Sequence, residues 1–136
     1  VYYPTPLALA QAVDVLIVLT PGGPATRHIV NAPVLEALGP DGILINAARG
    51  SVVDTRALIA ALRAGAIGTA GLDVYEDEPR VPQELLDHPG LVLLPHIGSG
   101  SAPTRTAMGQ LVVDNLISWF AGRGALTPVA EVAGPL

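Results

Sequence analysis

Charged and titratable side chains follow three successive apolar runs of the sequence. Arg49 comes after one run, and Asp73 and Glu78 come after the next. His96 follows a third run, within Leu94–Ser99, where small residues come directly after it. An open α/β sheet builds its site in this way, because the carboxyl ends of parallel strands meet at one edge. A lone histidine after a strand is more often structural, but the charged residues that follow the neighbouring runs favour proton transfer by His96.

Arg49 lies among small residues in the segment Asn46–Gly50. One interpretation is a surface arginine that pairs with an acidic neighbour. The other is a planar guanidinium that holds a substrate carboxylate through two hydrogen bonds. Ala47, Ala48 and Gly50 favour the second interpretation, since small side chains let a ligand approach the backbone.

The acidic segment Asp73–Glu78, which precedes the run that leads to His96, offers a partner for that histidine. We expect Glu76 and Asp77 to form a solvated turn, whereas Pro79 restricts the backbone beside Glu78. A carboxylate beside a histidine stabilises the imidazolium and orients the ring. No Gly-x-Ser-x-Gly nucleophile motif accompanies these residues.

The elements that position these side chains are predicted to alternate between strands and helices, which indicates an α/β fold with a parallel sheet. The first apolar run is continuous and rich in β-branched residues, which predicts a strand buried on both faces. The predicted strands are Asp14–Leu19, Gly42–Asn46, Gly68–Val74 and Leu91–Leu94. The predicted helices begin at Asn31, Asp54 and Ser101 or Ala102, and they end at Gly39, Gly65 and Arg123–Gly124.

The last predicted helix carries a wide apolar stripe. We expect part of this stripe to pack against another domain or a partner chain, which would leave Trp119 and Phe120 unburied within this chain. The tail Thr127–Leu136 is predicted to be an extended surface segment. The stripe consists of Met108, Leu111, Val112, Leu116, Trp119 and Phe120.

The composition excludes several classes of protein. With 136 residues, of which 50% are hydrophobic and 14% charged, the chain predicts one domain with a core. Its net charge of −5 argues against a nucleic-acid partner, which would need a basic face. Cysteine is absent, which excludes disulfides and fits a cytoplasmic protein. His28 and His88 lie apart in polar loops, so no metal site is predicted.

The sequence predicts neither a membrane-spanning segment nor a signal peptide. No apolar stretch reaches the ~20 residues that span a bilayer, so no membrane partner is expected. The start, Val1–Pro4, has neither an initiator methionine nor a basic region, so we do not expect a signal peptide there. We expect instead that the chain comes from the middle of a longer protein.

Three motifs, in order and in register, resemble the D-isomer-specific 2-hydroxyacid dehydrogenase family. They are Asn46–Gly50, Gly71–Pro79 and Pro95–Ser99, and the similarity runs from about Leu7 to Val129. Within the family they are most similar to the glyoxylate/hydroxypyruvate and hydroxyphenylpyruvate reductases. The resemblance implies that the parent protein reduces a small 2-oxo acid to a D-2-hydroxy acid with NAD or NADP, as a cytoplasmic homodimer.

The resemblance also implies roles, residue by residue. Arg49 would bind the substrate carboxylate, Glu78 would be the partner of the histidine, and His96 would be the acid/base. The backbone near Ala47 and the carboxylate of Asp73 would hold the nicotinamide end of the cofactor. The full set implied at the cofactor is Thr20, Pro21, Ala47, Ala48, Arg49, Asp73, His96, Gly98 and Ser99.

One departure from the family concerns the phosphate loop. The Gly-x-Gly-x-x-Gly motif is absent, and Pro21–Pro24 has the wrong spacing to replace it. Residues 1–101 would therefore be the C-terminal half of a Rossmann-like NAD(P)-binding domain. Residues 102–136 would be the helix that returns to the substrate-binding domain, with its tail. This chain alone is expected to be inactive, and the choice between NAD and NADP stays open.

Two other functions stay open at this point. Relatives of the family are dinucleotide-sensing corepressors, which bind without turnover on the same fold. The chain could also be an inactive fragment of the enzyme. A formate dehydrogenase is disfavoured, because that branch of the family has glutamine where Glu78 stands.

Overall fold

A computed structural model of the chain describes residues 1–129, in two compact units that divide after Gly98. The first unit contains a four-stranded sheet in the order β1-β2-β3-β4, with every neighbouring pair parallel. The predicted parallel α/β sheet is therefore confirmed, although each strand is shorter than its apolar run. The strands are β1 Val15–Val18, β2 Ile43–Asn46, β3 Thr69–Leu72 and β4 Val92–Leu93.

Helices connect the strands and begin where the capping residues predict. Asn31 caps α2 by accepting a hydrogen bond from the Val34 amide, and Asp54 caps α3 in the same manner. Gly65 ends α3 in the left-handed conformation at φ 66°. Two short helices, α1 and α4, were not predicted. The helices of this unit are α1 Pro6–Ala10, α2 Ala32–Leu38, α3 Thr55–Ala64 and α4 Gln83–Leu86, with 3₁₀ turns at Pro24–Thr26 and Gly50–Val52.

The sheet buries one face under α1, α2 and α3. Leu16, Leu44 and Ala70 lie in register on this face, and all three belong to the buried core. On the opposite face Val15 is 44% exposed and Ile17 is 59% exposed. The prediction that the first strand is buried on both faces is therefore wrong for this chain, because these three helices contribute to a single core on one side.

The second unit consists mainly of one long helix, α5 Ala102–Phe120, capped by the Ser101 hydroxyl. It ends three residues before the predicted Arg123, because Gly122 takes a positive φ of 73°. Trp119 is 51% exposed and Phe120 is 84% exposed, as expected. Within residues 1–129, every helix is too short or too polar to cross a membrane. The predicted tail Thr127–Leu136 lies mostly outside the described residues.

Candidate active site

A cleft of about 880 Å³ opens at the carboxyl ends of the strands in the first unit. Chain segments that follow β1, β2, β3 and β4 all contribute to its wall. Because the strands are parallel, their ends deliver these segments to one edge of the sheet. Seven of the predicted site residues line this cleft: Thr20, Pro21, Ala47, Ala48, Arg49, Glu78 and His96.

The loop that carries Arg49 is held by a buried side chain. Asn46, the last residue of β2, is 1% exposed. Its Oδ1 accepts a hydrogen bond from the Ala48 amide at 3.1 Å, and its Nδ2 donates to the Arg49 carbonyl at 3.1 Å. An asparagine that bonds to its own following backbone closes a tight turn. The turn fixes the backbone from which the Arg49 side chain leaves.

The Arg49 side chain retains most of its donors. Its Nη1 donates to the Ala48 carbonyl at 2.7 Å, and the remaining guanidinium N–H groups have no hydrogen-bond partner among residues 1–129. The stem of Arg49 runs close to Gly22, where an added Cβ would lie 2.8 Å from the Arg49 Cγ. Any larger residue at position 22 would displace this side chain.

His96 and Glu78 form a hydrogen-bonded pair on the cleft wall. The His96 Nδ1 lies 2.8 Å from the Glu78 Oε2, and the two side chains are 46% and 36% exposed. The other oxygen, Glu78 Oε1, accepts a hydrogen bond from the Tyr75 amide at 2.9 Å. The imidazole is thus oriented by a carboxylate that is itself held in place, which leaves Nε2 for chemistry.

The surroundings keep Glu78 ionised. The hydrogen bond with His96 is the largest influence that lowers the pKa of Glu78, and the Tyr75 amide adds to it. Burial opposes this shift, and the positive charge of Arg49 adds a smaller lowering. The cleft wall therefore presents an ionised carboxylate bonded to an imidazole, with the guanidinium of Arg49 in the same cleft.

Asp73 anchors the loop that carries His96. Its two carboxylate oxygens accept hydrogen bonds from the backbone amides of Ile97, at 2.7 Å, and Gly98, at 2.8 Å. An added Cβ at Gly98 would lie 3.2 Å from the Asp73 carboxylate, so a small residue suits this approach. These bonds hold His96 in a left-handed conformation at φ 55°, which is uncommon for a non-glycine residue.

A second cleft, of about 520 Å³, lies beside the first along the exposed face of the sheet. Asp73 and Gly98 line this second cleft and are absent from the wall of the first. Ala47 lines both clefts, and its small side chain separates them. Ser99 is the first residue of the second unit, so its place in the site stays a prediction.

Glu76 contradicts the prediction of a solvated turn. Its side chain is 26% exposed, and its Oε1 lies 2.8 Å from both the Arg27 Nη2 and the His28 Nε2. Burial alone would raise the pKa of Glu76, but bonding to His28, with smaller contributions from Thr55 and Arg27, lowers it. Asp77 behaves as predicted, since it is 70% exposed and pairs only with Arg80.

Two residues shape the site in ways that the sequence did not predict, since Gly50 was noted only as a small residue beside Arg49 and Tyr75 was given no role. Gly50 approaches the next loop so closely that an added Cβ would lie 1.9 Å from the Tyr75 carbonyl carbon. Tyr75 ties that loop to the last strand through its hydroxyl, which donates to the Leu94 carbonyl at 2.9 Å. Asn46, at the end of an apolar run, was the one local signal in the sequence for the turn that carries Arg49, because asparagine side chains close such turns.

A metal centre finds no support in the part of the chain that the structure describes. No group of three His, Asp or Glu side chains lies close enough to hold a metal ion there. The side chains that the described part of the cleft offers for chemistry include an arginine, a carboxylate and an imidazole, those of Arg49, Glu78 and His96.

Known proteins share both the sequence and this architecture. Residues 2–98 match the family model described as D-isomer specific 2-hydroxyacid dehydrogenase, NAD binding domain. Glyoxylate/hydroxypyruvate reductase A of Arabidopsis thaliana is 53% identical over 128 residues, which are 94% of this chain and 41% of that protein. Hydroxyphenylpyruvate reductase of Plectranthus scutellarioides is 50% identical over the same length, with the same shares covered.

A solved structure agrees with these relatives. The NADPH-dependent glyoxylate/hydroxypyruvate reductase of Sinorhizobium meliloti, in complex with NADP and malonate, superposes with a TM-score of 0.93 at 58% identity. The superposition covers 96% of this chain and 41% of that one. The chain thus spans about two fifths of the length of its relatives. It belongs to the D-isomer specific 2-hydroxyacid dehydrogenase family and carries part of the family's NAD-binding domain.

Proposed function

We propose that the protein containing this chain is an oxidoreductase that reduces a small 2-oxo acid, of the glyoxylate or hydroxypyruvate type, to a D-2-hydroxy acid. One observation carries the proposal: the Glu78–His96 pair and Arg49 line the same cleft at the carboxyl ends of the strands. An acid and a cation on one wall suit a substrate that has a carboxylate beside a ketone. The names of the two similar reductases, from Arabidopsis thaliana and Plectranthus scutellarioides, agree with this substrate class.

The residues present fit the nicotinamide end of NAD or NADP. Each oxygen of Asp73 accepts one backbone hydrogen bond and keeps a further lone pair, so the carboxylate can also accept from a carboxamide. Ala47 leaves room for a flat ring between the two clefts. When bound, a reduced nicotinamide supplies the hydride. The residues proposed to hold it are Thr20, Pro21, Ala47, Ala48, Arg49, Asp73, His96, Gly98 and Ser99.

The chain's own residues would bind the substrate and move the proton. The free N–H groups of Arg49 can hold the substrate carboxylate and polarise the neighbouring ketone. Protonated His96 would give its Nε2 proton to the ketone oxygen as that oxygen gains charge, while Glu78 stabilises the imidazolium. General acid catalysis of this kind contributes roughly 10²–10⁴ in rate.

The wider organisation is part of the same proposal. Residues 1–101 would belong to the cofactor domain, and residues 102–136 would return to the substrate domain. We also propose a homodimer in the cytoplasm, supported by the exposed apolar residues Trp119 and Phe120 of α5 and by the absence of cysteine. Light scattering on the full-length protein would test the dimer, and a monomer at all concentrations would contradict it.

A turnover assay on the full-length protein tests the function. We expect glyoxylate and hydroxypyruvate to be reduced with NADPH or NADH, as measured by loss of absorbance of the reduced nicotinamide. Cofactor binding without turnover on any 2-oxo acid would overturn the proposal and favour a dinucleotide-sensing protein of the corepressor type.

A further inference from the structure

A second histidine–glutamate pair lies beside the proposed catalytic pair. The His28 Nε2 is 2.8 Å from the Glu76 Oε1, the same separation as between His96 and Glu78. We propose that His28 and Glu76 are positioning residues that hold the loops of Arg49 and Glu78 in their working arrangement. The proposal rests on the proposed function and extends it to residues outside the reacting groups.

The backbone of His28 is attached to the segment that follows Arg49. The His28 amide donates to the Ser51 carbonyl at 2.9 Å, and the Val30 amide donates to the Val52 carbonyl at 3.1 Å. The Asp54 amide donates back to the Val30 carbonyl at 2.9 Å. Three backbone hydrogen bonds therefore join the His28 segment to the residues directly after the Arg49 turn.

The side chain of His28 reaches the loop that carries Glu78. Glu76 precedes Glu78 by two residues, and the amide of Tyr75, the residue directly before Glu76, donates to the Glu78 Oε1. An added Cβ at Gly50 would lie 2.3 Å from the Glu76 amide nitrogen, so the two loops also touch through backbone. His28 thus links the Arg49 loop, by its backbone, to the Glu78 loop, by its imidazole.

The conformation of His28 fits a residue held from several sides. Its φ of 52° is in the left-handed region, which costs energy for a non-glycine residue and persists where surrounding contacts hold it. Besides Glu76, the charged groups that face its ring are Asp54, whose Oδ2 lies 3.9 Å from Nδ1, and its neighbour Arg27, which shares the Glu76 oxygen.

Both nitrogens of the His28 ring thus face carboxylates, which suits a structural link better than proton transfer to a ligand. A misplacement of about 1 Å in a catalytic group can cost roughly 10²-fold in rate, even when the altered residue is remote. Glu76 lines the cleft that holds Arg49 and His96, but it is not proposed to bind the substrate. Loss of the link should therefore lower turnover through the placement of Arg49 and Glu78.

The test uses three variants of the full-length protein. Glu76→Ala removes the link from one side. His28→Asn removes it from the other, and asparagine tolerates the left-handed conformation, so the backbone can stay in place. Asp77→Ala is the matched control. It removes a carboxylate from the same loop, and among residues 1–129 this carboxylate pairs only with the exposed Arg80.

We expect Glu76→Ala and His28→Asn each to lower kcat about tenfold with little change in cofactor affinity, and the double variant to be no worse than either. Glu76→Gln, which can still accept from Arg27 and His28, should recover much of the loss. Asp77→Ala should match the wild type. If Glu76→Ala matched Asp77→Ala in an active enzyme, the proposal would be overturned.

Hydrogen exchange gives a readout that needs no turnover. The Tyr75 amide donates to Glu78, so its exchange rate reports whether Glu78 is held in place. We expect faster exchange of this amide in Glu76→Ala than in Asp77→Ala, even if no 2-oxo acid is reduced. Equal exchange in the two variants would overturn the positioning role independently of the proposed function.

Discussion

The two histidine–glutamate pairs of the first unit share their separation and backbone conformation, but they differ in the ring nitrogen that faces the carboxylate, Nε2 in His28 and Nδ1 in His96, and in their surroundings. Each pair has a 2.8 Å contact, and the two histidines take similar left-handed φ values of 52° and 55°. The His96 side chain is 46% exposed on the cleft wall, whereas that of His28 is 32% exposed and has Asp54 and Arg27 beside its pair. We expect the more exposed ring of His96 to serve proton transfer, whereas the His28 ring, with the Asp54 carboxylate 3.9 Å from its second nitrogen, is proposed to serve positioning.

The largest expected effect separates the two histidines. His96→Ala should lower turnover by roughly 10²–10⁴, because it removes the proposed general acid. His28→Asn should cost only about tenfold, since it shifts the catalytic groups without removing one. Steady-state kinetics on the full-length protein, with nicotinamide affinity measured by fluorescence, would check both. Equal losses in the two variants would remove the distinction between the pairs.

Arg49 offers the next test, because the His28–Glu76 pair is proposed to hold its loop. Arg49→Lys should raise KM and lower kcat together, since an ammonium cannot form the two-pronged hydrogen bond to a carboxylate. Loss of one charge-assisted hydrogen bond, worth about 1.5–3 kcal/mol, corresponds to a fall of about 10- to 100-fold in kcat/KM. Arg80→Lys is the matched control, since Arg80 pairs on the exposed surface with Asp77. An unchanged KM would contradict carboxylate binding by Arg49.

Gly50 tests the backbone contact at which the loop of Arg49 meets the loop of Glu78. Gly50→Ala would place a Cβ 1.9 Å from the Tyr75 carbonyl carbon, so backbone must move. We expect a loss of about 1–3 kcal/mol in the free energy of unfolding, as for an overpacked core. Gly109→Ala, in α5 with no atom within 4 Å of the added Cβ, should be neutral or stabilising. Denaturant unfolding would measure both, and a neutral Gly50→Ala would show that the contact is not tight.

The smallest expected effect is a pH dependence of stability. The pKa values of Glu76 and Glu78 are lowered from an ordinary value of 4.5. Their ionised forms therefore stabilise the fold at neutral pH, and this contribution is lost as the pH falls below 4.5 through the folded-state pKa values. Glu76→Gln should lower Tm at neutral pH, and the difference from wild type should shrink in acid. A difference that stays constant with pH would contradict this assignment.

Much of the fold followed from local sequence signals. The strands, their parallel order and the caps at Asn31, Asp54 and Ser101 all depend on neighbouring residues in the chain, which is why the sequence predicted them. The candidate site followed in part from the same logic. Arg49, Glu78 and His96 lie in the loops that follow β2, β3 and β4, and parallel strands bring such loops together.

The sequence already predicted Glu78 as the partner of His96, but only the tertiary structure decided the partners of His28, Glu76 and Asp73. His28 and Glu76 are 48 residues apart, and Asp73 bonds to amides 24 and 25 residues later. Such contacts depend on how loops from different strands meet, and no local propensity encodes that meeting. The burial of only one face of β1 is of the same kind, because a continuous apolar run cannot specify which faces other elements will cover. Residue types and spacing therefore determined the sheet, its helix caps and the candidate chemistry at its edge, whereas packing between distant segments determined that His28 pairs with Glu76 and that Asp73 holds the loop of His96.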